Sequence, residues 1–384
     1  MKKILIFYGS YGGGHISAAR NIKEYFETNN SDCVVSMIDC VEYTNKIINK
    51  ITTKAYSDLS KYAHWLWRRV YNSSEDGWMS SFSNFFNRLM ANKLYTSIEE
   101  FNPDIIISTH PFSSQMCAIL KQKKKINCML STIMTDYVEH NQWIILHEFV
   151  DYYFVAHEEM KTSLIKKGIS SNKIYVTGIP FSNRFLQTHD RLNILKEYGL
   201  RDDKTTALFF AGGAFGFGKK KLAILLKTII DNFPDLQVIA ISGKNPKLKK
   251  FFDRIVHDTK SDDYIKILSF TDQVPKLMFL SDLVITKPGG LTTTESLISG
   301  LPMIIINPIP GQEEENATFV EKNGAGIWLK KGEHIETVLD DILSSDSKLE
   351  EMTKKAKSIA KKSATKDICE ILLNEINEKQ KITQ

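Results

Sequence analysis

Two stretches of the chain combine residue types that could hold a nucleoside diphosphate and a sugar. The first runs Thr286-Lys287-Pro288-Gly289-Gly290-Leu291-Thr292-Thr293-Thr294-Glu295. Pro-Gly-Gly makes a sharp turn, and the threonines can cap the helix that starts near Thr292. The free N–H groups and positive dipole end of that helix, over Gly289, Gly290, Leu291, Thr292 and Thr293, suit a pyrophosphate. Glu295 falls on the first turn, where a carboxylate can accept two ribose hydroxyls; its plainer role would be to complement the helix dipole. The second stretch is Asn307-Pro308-Ile309-Pro310-Gly311-Gln312-Glu313-Glu314-Glu315-Asn316. Its prolines and glycine stiffen a loop. Gln312 and Glu313 can donate to and accept from a polyhydroxylated ring, or simply cap the helix that follows.

Two glycine-rich loops add to this set. Gly9-Ser10-Tyr11-Gly12-Gly13-Gly14-His15 follows the apolar run Ile4-Leu5-Ile6-Phe7-Tyr8, and Gly212-Gly213-Ala214-Phe215-Gly216-Phe217-Gly218 follows 205–210. Each reads as strand, tight turn and helix, with close backbone approach to a ligand. Gly213 and Phe215 are grouped with the donor-binding residues on this ground. The first loop lacks the G-x-G-x-x-G spacing, and no Gly-Lys-Ser/Thr follows it, so NAD and ATP are poor candidates. His15, at the mouth of this loop, could accept a proton as a neutral imidazole, or could cap and pack locally.

These residues sit at the ends of short apolar runs. Strands are expected at 3–8, 33–39, 104–109, 127–133, 152–156 and 173–177, then at 205–210, 236–242, 264–268, 282–286 and 302–306. Apolar strands alternating with helices indicate parallel sheets covered on both faces. The series restarts after Gly178-Ile179-Pro180, which puts a linker at about 178–190. The expectation is an α/β protein of two doubly wound domains facing a central cleft, 1–185 and 186–359. The helical, lysine-rich tail from about 360 to 384 is expected to pack back on the first domain.

The 384 residues suit two domains, and 42% hydrophobic with 25% charged residues is ordinary for a globular protein. A net charge of +5 does not imply a nucleic-acid partner. Five cysteines, an odd number with no C-x-x-C, indicate neither a disulfide framework nor a zinc site and fit a reducing cytoplasm. The first apolar run is too short for a signal peptide, and no run approaches the roughly 20 residues that span a bilayer.

Region 42–101 breaks the alternation and reads as two long helices, and within it lies segment 45–93. That segment carries eight Lys/Arg against three Asp/Glu, with Trp65, Trp67 and Trp78. Ile48, Ile51, Ala55, Leu59, Tyr62, Leu66 and Val70 form a helical stripe that suits core packing. Trp67 lies off that stripe beside Arg68 and Arg69, and aromatic rings next to cations suit the surface of an anionic bilayer.

The pattern Pro-Gly-Gly-x-Thr-x-x-Glu followed by Pro-Gly-Gln-Glu-x-x-Asn resembles the donor site of GT-B glycosyltransferases. More narrowly it is similar to bacterial diacylglycerol glucosyltransferases and plant monogalactosyldiacylglycerol synthases. Gly12-Gly13-Gly14-His15, Ser108-Thr109-His110-Pro111-Phe112 and Thr135-Asp136-Tyr137, with His140 and Trp143 beyond, match the same family. The resemblance covers nearly the whole chain. It implies a GT-B fold and an inverting transfer of glucose from UDP-glucose to 1,2-diacylglycerol, then to its glycosylated product. Phe270 would hold the uracil through its backbone, Gly290 to Thr293 the pyrophosphate, Glu295 the ribose, and Gln312 and Glu313 the sugar. Asp136 or His15 would be the general base, alone or as a pair. No metal or other cofactor is expected, and the protein would work on the inner face of the cell membrane. Rival readings are UDP-galactose-dependent synthesis, N-acetylglucosaminyl transfer to the lipid-linked peptidoglycan precursor, a UDP-N-acetylglucosamine 2-epimerase and a UDP-sugar sensor.

Overall fold

The structure is a computed structural model, and it describes residues 1–10, 13–44, 78–212 and 218–383. Trp65, Trp67, Arg68, Arg69, Gly213 and Phe215 lie outside the described residues, and Trp78 opens a helix.

The chain divides into two compact units, residues 1–182 with 363–384, and residues 183–362. The first holds a six-stranded sheet: β1 Lys2–Tyr8, β2 Cys33–Asp39, β3 Ile105–Ser108, β4 Met129–Ile133, β5 Tyr152–Val155 and β6 Ile174–Val176. The second holds β7 Thr206–Phe210, β8 Gln237–Ile241, β9 Ile265–Leu268, β10 Leu283–Thr286, β11 Met303–Ile306 and β12 Gly326–Leu329. The helices used below are α1 Gly14–Asn29, α2 Trp78–Phe101, α3 Pro111–Gln122, α4 Lys219–Asn232, α5 Pro246–Thr259, α6 Gly290–Ser299, α7 Gln312–Lys322, α8 Ile335–Leu343, α9 Asp346–Ile359 and α10 Ala364–Thr383.

Every strand pairing is parallel, so each sheet needs apolar cover on both faces. That need explains the isoleucine-rich strands: Ile105, Ile106 and Ile107 on β3 and Ile304 and Ile305 on β11 are fully buried. The first sheet runs β2-β1-β3-β4-β5-β6 and the second β12-β11-β10-β7-β8-β9. In an open parallel sheet the strand order reverses at one point, where the carboxyl ends of two neighbouring strands part and leave a crevice for a ligand. The reversals here fall between β1 and β3, which pair Phe7 with Ser108, and between β7 and β10, which pair Phe209 with Ile285.

Helix α10 belongs to the first unit. Its Ile368, Cys369, Leu372 and Ile376 enter one core with Ala19, Ile22 and Phe26 of α1. Burial of each large aliphatic side chain there is worth about 1.5–3 kcal/mol. Thr365 closes the junction: its hydroxyl donates to the Phe181 carbonyl at 2.7 Å and accepts from the Phe181 N–H at 3.0 Å.

Candidate functional site

In the first unit the reversal point gathers a cluster of rings. α1 begins at Gly14, so His15 lies in its first turn. Its Nδ1 is 2.6 Å from the Thr109 carbonyl oxygen and 3.0 Å from the Thr135 hydroxyl. A carbonyl can only accept, so Nδ1 carries the proton and the Thr135 oxygen shares it. The neutral ring therefore keeps its lone pair on Nε2, and among the described residues no group hydrogen-bonds that atom. Burial pulls the imidazole from 6.5 down to about 4, against an upward pull from the Thr109 carbonyl. The Thr109 hydroxyl in turn donates to the His15 carbonyl at 3.0 Å, so the two residues clasp each other.

His110 stands edge-on to His15 with ring centroids 4.6 Å apart, and its Nδ1 accepts the Phe112 N–H that opens α3. Burial and the facing His15 and His140 hold it well below the usual histidine range. His140 is pushed down to about 3 by burial first, then by His15 and Lys167. Trp143 lies against both His15 and His140, and its buried indole N–H has no partner among the described residues. Gly9 admits this arrangement: a Cβ there would come within 2.9 Å of the His110 ring. Asp136 is partly buried, in the turn just past Thr135. The pairing of His15 with a carboxylate was one expectation; at Nδ1 the orienting acceptors are the Thr109 carbonyl and the Thr135 hydroxyl. Thr109, Thr135, His140 and Trp143 carried no individual role in the sequence, because only strand order brings them to His15.

In the second unit β10 ends at Thr286 and α6 starts at Gly290, with Gly289 as its N-cap. The threonines do not cap this helix. It starts two residues before Thr292, so they lie inside it, and the Thr294 hydroxyl donates back to the Gly290 carbonyl at 2.8 Å. The first N–H groups of α6 thus lack a side-chain cap, as an anion site requires. Thr293 Oγ1 is buried there with no partner among the described residues. Leu291 is buried and Thr292 partly so. Glu295 lies in the second turn rather than the first, too far along to serve mainly as a dipole complement. Desolvation raises its carboxyl to about 8, and no described side chain pairs with it.

The loop after β11 is tied to this turn. Lys287 Nζ is 3.1 Å from Glu313 Oε2, which also accepts the Ile309 N–H at 2.6 Å. Burial lowers the Lys287 ammonium, with Glu313 pulling the other way. The buried Asn316 donates to the Pro288 carbonyl at 2.9 Å. So Glu313, expected to read the sugar, also anchors its own loop, while Gln312 opens α7 just past Gly311, whose φ is 93°. Phe270 lies past β9 as a residue 63% exposed, and Lys244 Nζ sits 4.8 Å from its ring centroid. Lys287 and Asn316 were passed over in the sequence; the asparagine of the second motif was the one available signal.

Among the described residues no group of three or more His, Cys, Asp or Glu is placed to hold a metal ion. None of the described helices is long and apolar enough to cross a membrane.

Two tandem doubly wound sheets define a GT-B fold, and the chain is a glycosyltransferase. Residues 15–181 match the family model of monogalactosyldiacylglycerol (MGDG) synthase, and 207–368 match that of the glycosyltransferase family 28 C-terminal domain. The chain belongs to the family of processive diacylglycerol beta-glucosyltransferases. It is 32% identical to the one from Staphylococcus haemolyticus (strain JCSC1435) over 97% of this chain and 93% of that one. It is 29% identical to the one from Bacillus subtilis (strain 168), over 97% and 95%. The fold is shared with Staphylococcus aureus MnaA bound to UDP, at a TM-score of 0.68, 16% identity and coverage of 98% and 97%. It is shared with Acinetobacter baumannii MurG at a TM-score of 0.64, 16% identity and coverage of 97% and 100%.

Proposed function

We propose that this protein transfers glucose from UDP-glucose to the hydroxyl of 1,2-diacylglycerol with inversion at the anomeric carbon, and then to its glycosylated product. The observation that carries the chemistry is the tautomer of His15, whose Nδ1–H is held by Thr109 while no described residue hydrogen-bonds the lone pair on Nε2. In the reaction the acceptor hydroxyl gives its proton to Nε2 as its oxygen forms a bond to the anomeric carbon. The bond from that carbon to the diphosphate oxygen breaks, and its electron pair leaves with UDP. The imidazolium formed keeps its hydrogen bond to the Thr109 carbonyl. Asp136, close by in sequence to Thr135, is the alternative base.

On the donor side the uncapped start of α6, from Gly289 to Thr293, would receive the pyrophosphate, with oriented N–H dipoles meeting the charge that grows on UDP. Glu295 would accept the ribose hydroxyls, and Gln312 with the free oxygen of Glu313 would read the sugar. The Phe270 backbone would hold uracil, and Gly213 with Phe215 would complete the donor site. UDP in the MnaA structure supports the donor class. No metal is required by this scheme, because helix N–H groups supply the positive potential. The acceptor would be reached by a protein lying on an anionic membrane, with Trp65, Trp67, Arg68, Arg69 and Trp78 at the interface and the enzyme on the inner face of the cell membrane. The names of the relatives support glucose and diacylglycerol.

The deciding experiment incubates the protein with UDP-glucose or UDP-galactose and diacylglycerol and identifies the products. A β-glucosyl diacylglycerol and its diglucosyl product are expected. Galactolipid alone would replace glucose with galactose, and epimerised UDP-sugar without lipid product would sink the reading.

A further inference from the structure

Helices α4 and α5 lie side by side on one face of the second sheet. Their inner sides supply Leu222, Leu226, Ile229, Leu248, Phe252 and Val256 to a single core. Their outer sides are unusual in one respect: large apolar side chains stand exposed among cations. On α5, Lys247, Lys250, Phe251 and Arg254 follow one another at i, i+3, i+4 and i+7, and all four are exposed. On α4, Lys220, Lys221 and Ile224 are exposed, with Ile224 at 65%.

The charges of this face are not answered by acids. Among the described residues, none pairs with Lys220, Lys221, Lys247, Lys250 or Arg254. Lys227 and Lys249, by contrast, are neutralised along their own helices by Asp231 and Asp253. The positive strip ends at the next helix, α8, where Glu336, Asp340 and Asp341 appear and Asp341 pairs with Lys348. A basic helix face is ordinarily just solvated, and a single exposed apolar residue needs no explanation. Unpaired cations flanking an isoleucine and a phenylalanine on two adjacent rigid helices are what a bilayer surface recognises. Cations meet anionic headgroups, and the apolar side chains enter the boundary beneath them.

We infer that the outer face of α4 and α5 is a second membrane-docking surface, on the unit that carries the donor residues and separate from the aromatic segment 45–93. The choice of an anionic bilayer over another polyanion rests on the lipid-acceptor reading above, and on Ile224, whose aliphatic side chain has nothing to offer a sugar–phosphate backbone.

The test is flotation of the full chain with phosphatidylglycerol-containing vesicles and with pure phosphatidylcholine vesicles. One variant combines Lys247→Gln, Lys250→Gln and Arg254→Gln; a second combines Ile224→Ser and Phe251→Ser. Each Lys or Arg near an anionic surface contributes roughly fivefold in partition, so the first variant should bind the anionic vesicles at least about tenfold less. The second should also bind less, while UDP affinity stays unchanged in both and reports an intact fold. Partition of the triple variant within about twofold of the wild type would overturn the inference. So would a wild type that binds duplex DNA and ignores vesicles. Glucosyl transfer to diacylglycerol in detergent micelles, which needs no bilayer, is measured alongside. Its absence in the wild type would reject the proposed reaction and leave the flotation result to judge the docking face.

Discussion

The Nδ1 of His15 lies 2.6 Å from the carbonyl oxygen of Thr109, 94 residues further along the chain. The contact follows from strand order. β1 and β3 are neighbours at the point where the first sheet reverses, so the turn after β1 and the residue after β3 leave the sheet together. The Thr109 N–H completes the register by donating to the Phe7 carbonyl at 3.0 Å. One carbonyl thereby decides which imidazole nitrogen carries the proton.

If Nε2 is the base, turnover should follow the lowered pKa of His15. The unprotonated form is the active one, and a ring held at about 4 rather than 6.5 stays unprotonated throughout the neutral range. The acid limb of kcat/KM should therefore fall near pH 4 to 5, not near 6.5. His15→Ala should lose about 10²–10⁴ in kcat with little change in UDP affinity. Asp136→Ala run beside it assigns the base, and near-normal turnover in both variants would reject the scheme.

The same burial predicts acid sensitivity of the fold. His15, His110 and His140 all titrate below their ordinary value when folded. Between pH 6.5 and about 4 the unfolded chain binds protons that the folded chain does not, so stability is full above 6.5 and drains away as pH falls. Urea midpoints measured from pH 7.5 to 4.5 should drop steadily, and the drop should be shallower in His140→Phe. A flat profile would mean these rings protonate without penalty.

Much of this architecture is legible in the sequence because parallel strands buried on both faces read as unbroken apolar runs. β3 as Ile-Ile-Ile-Ser and β11 as Met-Ile-Ile-Ile are such runs. β12 escaped, since Gly-Ile-Trp-Leu is an edge strand with only its first residue buried, and that residue is a glycine. Gly326 is there for packing: a Cβ would come within 2.5 Å of the Met303 carbonyl. The motifs around Gly289 and Gln312 were visible as local patterns. The Lys287–Glu313 pair and the clasp of Thr109 on His15 were not, because each depends on which strands lie side by side. Hydroxyl capping by Thr292 to Thr294 was a wrong local inference, as the helix starts earlier than those residues suggest.

Glu295 should make donor binding depend on pH in the alkaline direction. Its carboxyl sits near 8, so at pH 7 most of the free protein holds it protonated. Ribose hydroxyls donate best to the ionised form, and binding at pH 7 must first expel the proton. Raising the pH from 7 to 9 removes that cost and should tighten UDP by up to about tenfold. Titration calorimetry in buffers of different ionisation enthalpy should detect the released proton at pH 7. Glu295→Gln should weaken UDP and abolish the pH dependence; an unchanged slope in that variant would place the titrating group elsewhere.

Two glycines separate packing from binding. A Cβ on Gly212 would lie 2.6 Å from the backbone nitrogen of Gly243, and neither chain segment can yield cheaply. Gly212→Ala should therefore cost about 1–3 kcal/mol of stability, read from denaturant midpoints. At Gly289 an added Cβ meets no atom of the described residues within 4 Å, so Gly289→Ala should leave the midpoint nearly unchanged. Gly289 is also the N-cap of α6, where the pyrophosphate is proposed to sit, so a methyl group there crowds the ligand and not the fold. UDP affinity should fall by roughly tenfold or more, the cost of losing one or two charge-assisted hydrogen bonds. A Gly289→Ala protein that binds UDP as the wild type does would move the diphosphate away from the start of this helix.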